Sequence, residues 1–586
     1  MQQATFCNPV PFADGKPHTS PDPFVLRWCG AYYCYATDEN GVLVSSSPDL
    51  VHWTAHGYAL QQAGHRNFWA PAVLYHNGRF YLYYSHEPRE ILQLAISNDP
   101  LGPFVWQTQL SELFSIDAHP VLWRGERYLF YASDEWMGCE EERTGTSVLL
   151  DKLLPDGRPE GRPVPVLLPD NDSEIFARNR FGDGRSWHTL EGPCFLPGAE
   201  YSFLLYSANC YTSEDYYVHY AVAENKDDLR DMVWSKKEKT RTPFPLLKRS
   251  CTVEGTGHNT VVPAPDLVHR WMVYHGRPVG KNVFPGDEQR QMYIAPLWVN
   301  EQTLWMPTPT HEPQAVPQQP GYYCAKQHLA LQQRWEICSL PQNVRIEAWF
   351  HPQSRHTGVK FSLYLAMQDE QNTLELVFST GRRQMQLWER RHGLRRLAAQ
   401  AALPPEFALY VPHLLTVTEK FGEWQICVDE SILLEVHSRL AGGKLVAQTH
   451  YSEVIFYGLT VTRCFALTGQ ELACLPDWLA VSPAELTDEG LTGEKGTLEI
   501  RPVSLPNAEE SFILSGKGKC TLRVNGDIVY RFNWGQEGTV LRRISRQNCC
   551  AWYAEEQLIW TCKADEEDVL QIYGATLHGY EFAELH

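Results

Sequence analysis

The sequence predicts an all-β chain, with an N-terminal five-bladed β-propeller followed by C-terminal β-sandwich modules. Three observations carry this. Five segments of the first three hundred residues repeat one pattern, apolar and polar residues alternate with the period of strands, and helical periodicity is nearly absent. At 586 residues the chain also exceeds a single core and divides into several domains.

Each repeat is a short opening strand holding a polar residue, a Gly or polar turn, and an aromatic strand. The repeats read SPDPFVLRWCGAYYCYATD (20–38), FWAPAVLYHNGRFYLYYSH (68–86), IDAHPVLWRGERYLFYASD (116–134), LEGPCFLPGAEYSFLLYSA (190–208) and, more loosely, GTGHNTVVPAPDLVHRWMVYHG (255–276). Stretches such as GVLVSSS with DLVHWTAHG supply outer strands, so each unit holds about four strands, as a propeller blade does. A sandwich lacks such long-period self-similarity. The propeller is assigned to residues 1–307. A Pro-rich linker at 308–323 reads as unable to form helix or sheet. Residues 324–465 alternate through RIEAWFHP, VKFSLYLAM and TLELVFST and read as a laminin-G-like or jelly-roll sandwich, a stabilising or homo-oligomer-forming module. Residues 466–586 read as a second small β-rich module.

Composition narrows the function. A net charge of −19 opposes binding to nucleic acid, which needs a basic surface, and to anionic membrane. Aromatic residues reach 12%, which suits pleated sheets and stacking on sugar faces. The first residues, MQQATFCNPVPFADGKPHTSPDP, lack a charged stretch followed by an apolar one. The sixteen cysteines are scattered and form no CxxC pair, which reads as buried free thiols. Together these predict a cytoplasmic protein.

In a propeller the first strand of every blade lines the central channel and begins near one mouth. The opening strands therefore converge Asp22, Trp69, Asp117, Glu191 and His258 on one pocket. Three of these are carboxylic acids on otherwise apolar strands. Glycosidic bonds are cleaved by two carboxyl groups, one protonating the leaving oxygen and the other activating water or attacking the anomeric carbon. The acid must keep its proton near neutral pH, and burial beside a further negative charge achieves this. Pro21 and Pro23 fix the backbone around Asp22, and Gly192 lets the chain bend next to Glu191.

The set SPDP, FWAPAV, IDAHP, LEGP and GTGHN, in this order, resembles glycoside hydrolase family 43. The resemblance implies an inverting, exo-acting hydrolase releasing terminal pentosyl residues, β-D-xylose or α-L-arabinofuranose, from plant-type oligosaccharides. Glycosidases for another sugar such as galactofuranose, and a non-catalytic carbohydrate-binding propeller, are the alternatives. It implies Asp22 as general base, Asp117 as the group that orients the acid and raises its pKa, and Glu191 as general acid. No cofactor is required. His258 matches a channel histidine that in some members contacts a central calcium through water. Arg290, in RQMYIAPLWV, resembles an arginine holding the orienting acid or substrate hydroxyls, and Phe68 with Trp69 would wall the sugar. The segment EIFARNRFGDGRSWHTLEGP is peculiar to this chain, and from it one of Arg178, Arg180, Arg185 or His188 is expected to reach a substrate hydroxyl, Arg185 and His188 being singled out as substrate-binding.

Overall fold

The computed structural model describes residues 5–584 except 137, 139–142, 199, 237–244, 282–288, 301, 354–359, 469–471, 473–474, 476–478, 483, 488–489, 494–496, 503–507, 517–518, 534–538, 547–548, 555–556, 564–565 and 574. The all-β expectation holds. Five four-stranded antiparallel sheets correspond to the five repeats. The quoted segments form their inner hairpins: Phe24–Trp28 with Ala31–Ala36, Arg66–His76 with Arg79–Glu87, Ser115–Trp123 with Glu126–Ser133, Leu190–Leu196 with Tyr201–Ala208, and Val253–Pro263 with Arg270–Pro278.

Aromatic and branched residues in these strands pack well against a pleated surface, and here they fill the spaces between neighbouring blades. Tyr35, Phe68, Phe80 and Tyr84 lie between the first and second blades. Phe130, Leu150, Phe195 and Tyr206 lie between the third and fourth. The ring closes where Phe6, Val10 and Phe12 pack on Trp271, Val273 and Ile294 of the fifth blade. Asn8 ties this joint like a strand residue, its Nδ2 donating to Ile294 O at 2.8 Å and its Oδ1 accepting from Ile294 N at 3.0 Å. Burying one such large apolar side chain contributes roughly 1.5–3 kcal/mol, so the ends of the ring hold without a covalent link.

The linker differs from its expectation. Gln314–Ala315 pairs antiparallel with Thr5–Phe6, because a Pro-rich segment can still supply edge pairing at residues that keep their N–H. Beyond it, a sheet built on Val344–Pro352, His413–Lys420 and Val454–Thr468 faces a second sheet, with Ile346, Phe350, Phe361, Leu376 and Trp424 between them. The strand Val454–Thr468 runs across the 465/466 boundary and pairs through Cys464–Thr468 with Ala575–Glu584. One continuous sheet therefore joins the two C-terminal modules.

These modules dock on the turns of the inner hairpins, at the end of the channel opposite the mouth. Gly30, with φ 81°, meets Gly458 so closely that a Cβ there would lie 2.5 Å from the Gly458 Cα. Trp28 packs edge-on to Trp349, and Arg27 pairs with Glu347. In the second blade Asn77 Nδ2 donates to Glu406 O at 3.1 Å. Below the fifth blade His269 bridges Asp266 and Glu509.

Candidate active site

Just inside the mouth, four inner strands skip register: between Trp69 and Ala72, Ile116 and His119, Glu191 and Cys194, and Gly257 and Thr260. The first skipped residue is left-handed in each case, Ala70 (φ 43°), Asp117 (58°), Gly192 (56°) and His258 (47°). Asp22 (53°) adopts the same conformation ahead of the first blade's inner strand. Asp117 and His258 thus occupy the bulge itself, Asp22 shares its backbone conformation without a bulge, and Trp69 and Glu191 stand one residue before it. A β-bulge re-aims side chains, here into the channel.

Left-handed backbone costs a non-glycine residue about 1–2 kcal/mol, so the fold must hold it in place. At four junctions the N–H of the left-handed residue is bound by a side chain of the preceding blade. Ala70 N donates to Thr37 Oγ1 (2.9 Å), Gly192 N to Asp117 Oδ2 (2.9 Å), His258 N to Ser207 Oγ (2.8 Å) and Asp22 N to His275 Nδ1 (3.1 Å). The channel mouth is therefore a ring of mutually supporting left-handed residues.

Asp22 is buried, yet its carboxyl is an anion. Burial raises its pKa, but Arg290 and then His258 outweigh that and hold it well below the usual carboxylate range. Arg290 Nη1 lies 3.0 Å from Asp22 Oδ1, and Thr37 Oγ1 donates to Oδ2 at 2.6 Å. Arg290 reaches this position because its carbonyl accepts from Ser20 N at 3.0 Å, two residues from Asp22. The His275 ring is neutral, its pKa pushed down to about 4 by burial and by Arg290, so it holds its one proton on Nε2 and leaves Nδ1 free to accept the Asp22 N–H.

Glu191 behaves oppositely. Burial, then the charge of Asp117, push its pKa up to about 8, although a hydrogen bond from Tyr216 Oη at 2.6 Å to Oε1 favours the anion. Tyr216 stacks on His275 with ring centroids 5.8 Å apart. Gly257 makes room for it, since a Cβ there would lie 1.9 Å from the Tyr216 ring. Asp117 is itself raised by burial and by Asp22, against the pull of His258 and the Gly192 amide.

These groups floor a cavity of about 470 Å³, within the range of small-ligand sites. Trp69, Tyr211, His258 and Arg290 line its inner part. Its outer wall is the segment before Glu191, where Ile175–Ala177 and Thr144–Gly145 flank Trp187–His188 in a small sheet. Phe176 and Trp187 from this sheet, with Arg180 and Phe181 from the turn between its strands, line the cavity, and the Arg180 guanidinium lies 4.8–5.4 Å from the three ring centroids. Glu90 and Asp134 complete that side.

The structure brings Asp22, Trp69, Asp117, Glu191, His258 and Arg290 together and leaves three expected residues elsewhere. Phe68 is fully buried against Tyr84 in the first interblade core, because alternation sends it away from the face Trp69 shows. Arg185 turns to solvent and pairs with Asp183 at 2.7 Å. His188 is buried, its Nδ1 3.2 Å from Thr144 O. Arg290 holds the Asp22 carboxylate. Sequence reasoning missed Thr37, Ser207, Tyr216 and His275. Thr37, Ser207 and His275 recur at one point in the repeats, the end of the second strand, and that recurrence was their signal. Among the described residues no group of three or more His, Cys, Asp or Glu side chains is placed to hold a metal ion directly, and the Nδ1 of His258, the residue expected to contact a calcium through water, faces Asp22 (3.4 Å) and Asp117 (3.9 Å).

Three carboxyls around one sugar-sized cavity, on a five-bladed propeller, are the arrangement of a carbohydrate-cleaving enzyme. Residues 14–301 match the model of the glycosyl hydrolases family 43, and the chain belongs to that family. The extracellular exo-alpha-(1->5)-L-arabinofuranosidase of Streptomyces chartreusis is 28% identical over 295 residues, covering 46% of this chain and 83% of its own. Alpha-L-arabinofuranosidase 43 of Humicola insolens is 25% identical over 248 residues, 40% of this chain and 47% of its own. Among solved structures, a thermostable family-43 glycoside hydrolase is 31% identical, with a TM-score of 0.45 over 53% of this chain and 99% of its own. The protein is a glycoside hydrolase acting on carbohydrate. The cytoplasmic location expected from the N-terminal sequence is overturned by the Streptomyces relative, an extracellular protein by name.

Proposed function

We propose that the protein is an inverting, exo-acting α-L-arabinofuranosidase. Asp22 is the general base, Glu191 the general acid, and Asp117 the group that orients Glu191 and keeps it protonated. One observation carries this reading: within a single cavity Asp22 is held as an anion while Glu191 keeps its proton up to about pH 8. A base must be ionised and an acid protonated at the working pH, and these two are set for opposite tasks.

In the reaction Asp22 removes a proton from a water as that water attacks the anomeric carbon. Glu191 passes its proton to the departing glycosidic oxygen. The product has inverted configuration, and Asp22 and Glu191 then exchange protons with solvent to restore the starting state. Arg290 and Thr37 keep Asp22 oriented and anionic, and Tyr216 fixes Glu191. Phe176, Phe181 and Trp187 give the leaving-group side an apolar wall, and exo action draws on the name of the Streptomyces relative. The choice of arabinofuranose draws on the names of the relatives.

Proton NMR of the sugar first released from nitrophenyl α-L-arabinofuranoside tests both the sugar and the stereochemistry. The β-anomer is expected to appear first. An α-anomer would remove the inverting mechanism, and faster release from the β-D-xyloside would replace the sugar.

A further inference from the structure

We infer that Cys550 and Cys562 form a redox-active cross-strand pair in the C-terminal module that closes to a disulfide. The hairpin of Cys549–Ala554 and Gln557–Lys563 ends the large sheet, so its second strand is an edge. Cys550 and Cys562 stand directly opposite one another in its antiparallel register. Directly opposed residues have Cβ atoms about 4.5–5.5 Å apart, and a disulfide needs about 3.5–4.5 Å. A small inward shift closes the gap, and an edge strand with no pairing partner on its outer side among the described residues can make it.

Both thiols are buried and share one small cluster with Val524 and Val529, so they lie on one face of the hairpin. Cys549 is the neighbour in sequence but faces the other way and is exposed. The pair has an activating group. Arg543 is fully buried, paired with Glu510 and Asp568, and its Nη2 approaches Cys550 Sγ at 3.2 Å. A guanidinium at that distance favours the thiolate, the reactive form of cysteine. Each thiol also perturbs the other, Cys550 downward and Cys562 upward. Cys550 is thus the attacking sulfur and Cys562 the resolving one.

The oxidant is a low-molecular-weight disulfide, admitted when the edge strand opens. The Cys550 thiolate attacks one of its sulfurs, the S–S bond breaks, and one small thiolate leaves. Cys562 then loses its proton to solvent and attacks the Cys550 sulfur, expelling the second small thiolate. Two protein thiols are oxidised and one small disulfide is reduced to two thiols. The closed pair fastens the edge strand to its neighbour, which suppresses local opening of the hairpin.

The test equilibrates the full chain in glutathione buffers of graded oxidised-to-reduced ratio, quenches it with acid and alkylates it under denaturing conditions. Trypsin leaves all three cysteines on one peptide, since no Lys or Arg lies between Arg546 and Lys563, and a second cut after Glu556 separates Cys562. The expected result is a two-hydrogen mass loss on that peptide and a link across Glu556, present in Cys549→Ser and absent in Cys562→Ser. Proteolysis within the hairpin should slow by about tenfold in the oxidised wild type and not in Cys562→Ser. Three alkylated cysteines at every ratio, or a link through Cys549, would overturn the inference, and the wild-type peptide alone decides this if a variant does not fold.

Discussion

At the scale of the residue, the site separates two carboxyls by their surroundings. Asp22 is buried and Glu191 half-buried, but Asp22 faces Arg290 and Thr37, while Glu191 faces Asp117. Replacing Asp117 by Asn removes the nearby charge that raises Glu191. The alkaline limb of the kcat/KM profile, set by Glu191 near pH 8, should then move to lower pH; an unmoved limb would deny Asp117 that part. Glu191→Gln should lower kcat on poor leaving groups by about 10²–10⁴-fold and far less on nitrophenyl glycosides. The same substitution has a stability consequence. A carboxyl with a raised folded pKa keeps its proton in the native state after the unfolded chain has released it, so stability declines from about pH 4.5 up to about pH 8 and then levels off. Glu191→Gln should therefore raise the melting temperature more at pH 8.5 than at pH 5, and an equal gain at both would count against the raised pKa. The acids were legible in the sequence because a charged residue on an apolar repeat stands out. Tyr216 was not, since in the run YYVHY, at the head of the strand Tyr217–Glu224, an aromatic that binds the acid looks like one that fills a core.

At the scale of the element, bulges and one inserted sheet decide what enters the channel. The five repeats made the blades legible, but not the register within them. Asp117 and His258 sit on the bulge and Trp69 and Glu191 one residue before it, a distinction carried by backbone angles that composition does not reveal. The segment before Glu191 was legible as an insertion, yet Arg185 and His188 were the wrong residues to single out. In a strand, neighbours point to opposite faces, so Trp187 enters the cavity and His188 is buried behind it. Arg180 was hidden in a run of arginines and is distinguished only by the three rings around it. Trp187→Ala removes one wall from the leaving-group side, at a cost of about 1–2 kcal/mol in binding. KM for an arabino-oligosaccharide should rise by about tenfold with kcat nearly retained. A fall in kcat alone would place Trp187 in the chemistry instead.

At the scale of the whole molecule, the C-terminal modules lie against the turn ends of the blades, and the cavity is lined by residues 22–290. Their part is to fix the propeller from the far side. The sequence showed two β-rich modules but not the strand Val454–Thr468 that crosses between them, because a continuous alternation carries no mark of where one sheet hands it to another. The joint below the fifth blade is ionic and buried. His269 Nδ1 lies 2.5 Å from Asp266 and its Nε2 3.2 Å from Glu509, which also pairs with Arg542. Burial lowers the His269 pKa, but Glu509 and Asp266 outweigh this and lift it well above its ordinary value, with Glu581 close by. The histidine is therefore a cation in the folded protein. Its contribution is complete below the unfolded pKa near 6.5 and is lost as pH rises through the folded value. Removing one partner of a buried ionic group leaves the others uncompensated, which costs about 3–5 kcal/mol. His269→Gln should accordingly lower the melting temperature sharply at pH 6, with a gap to the wild type that narrows in alkaline buffer. Thermal unfolding of both proteins from pH 6 to pH 10 measures that gap, and a gap constant across the range would show that His269 acts there as a neutral spacer.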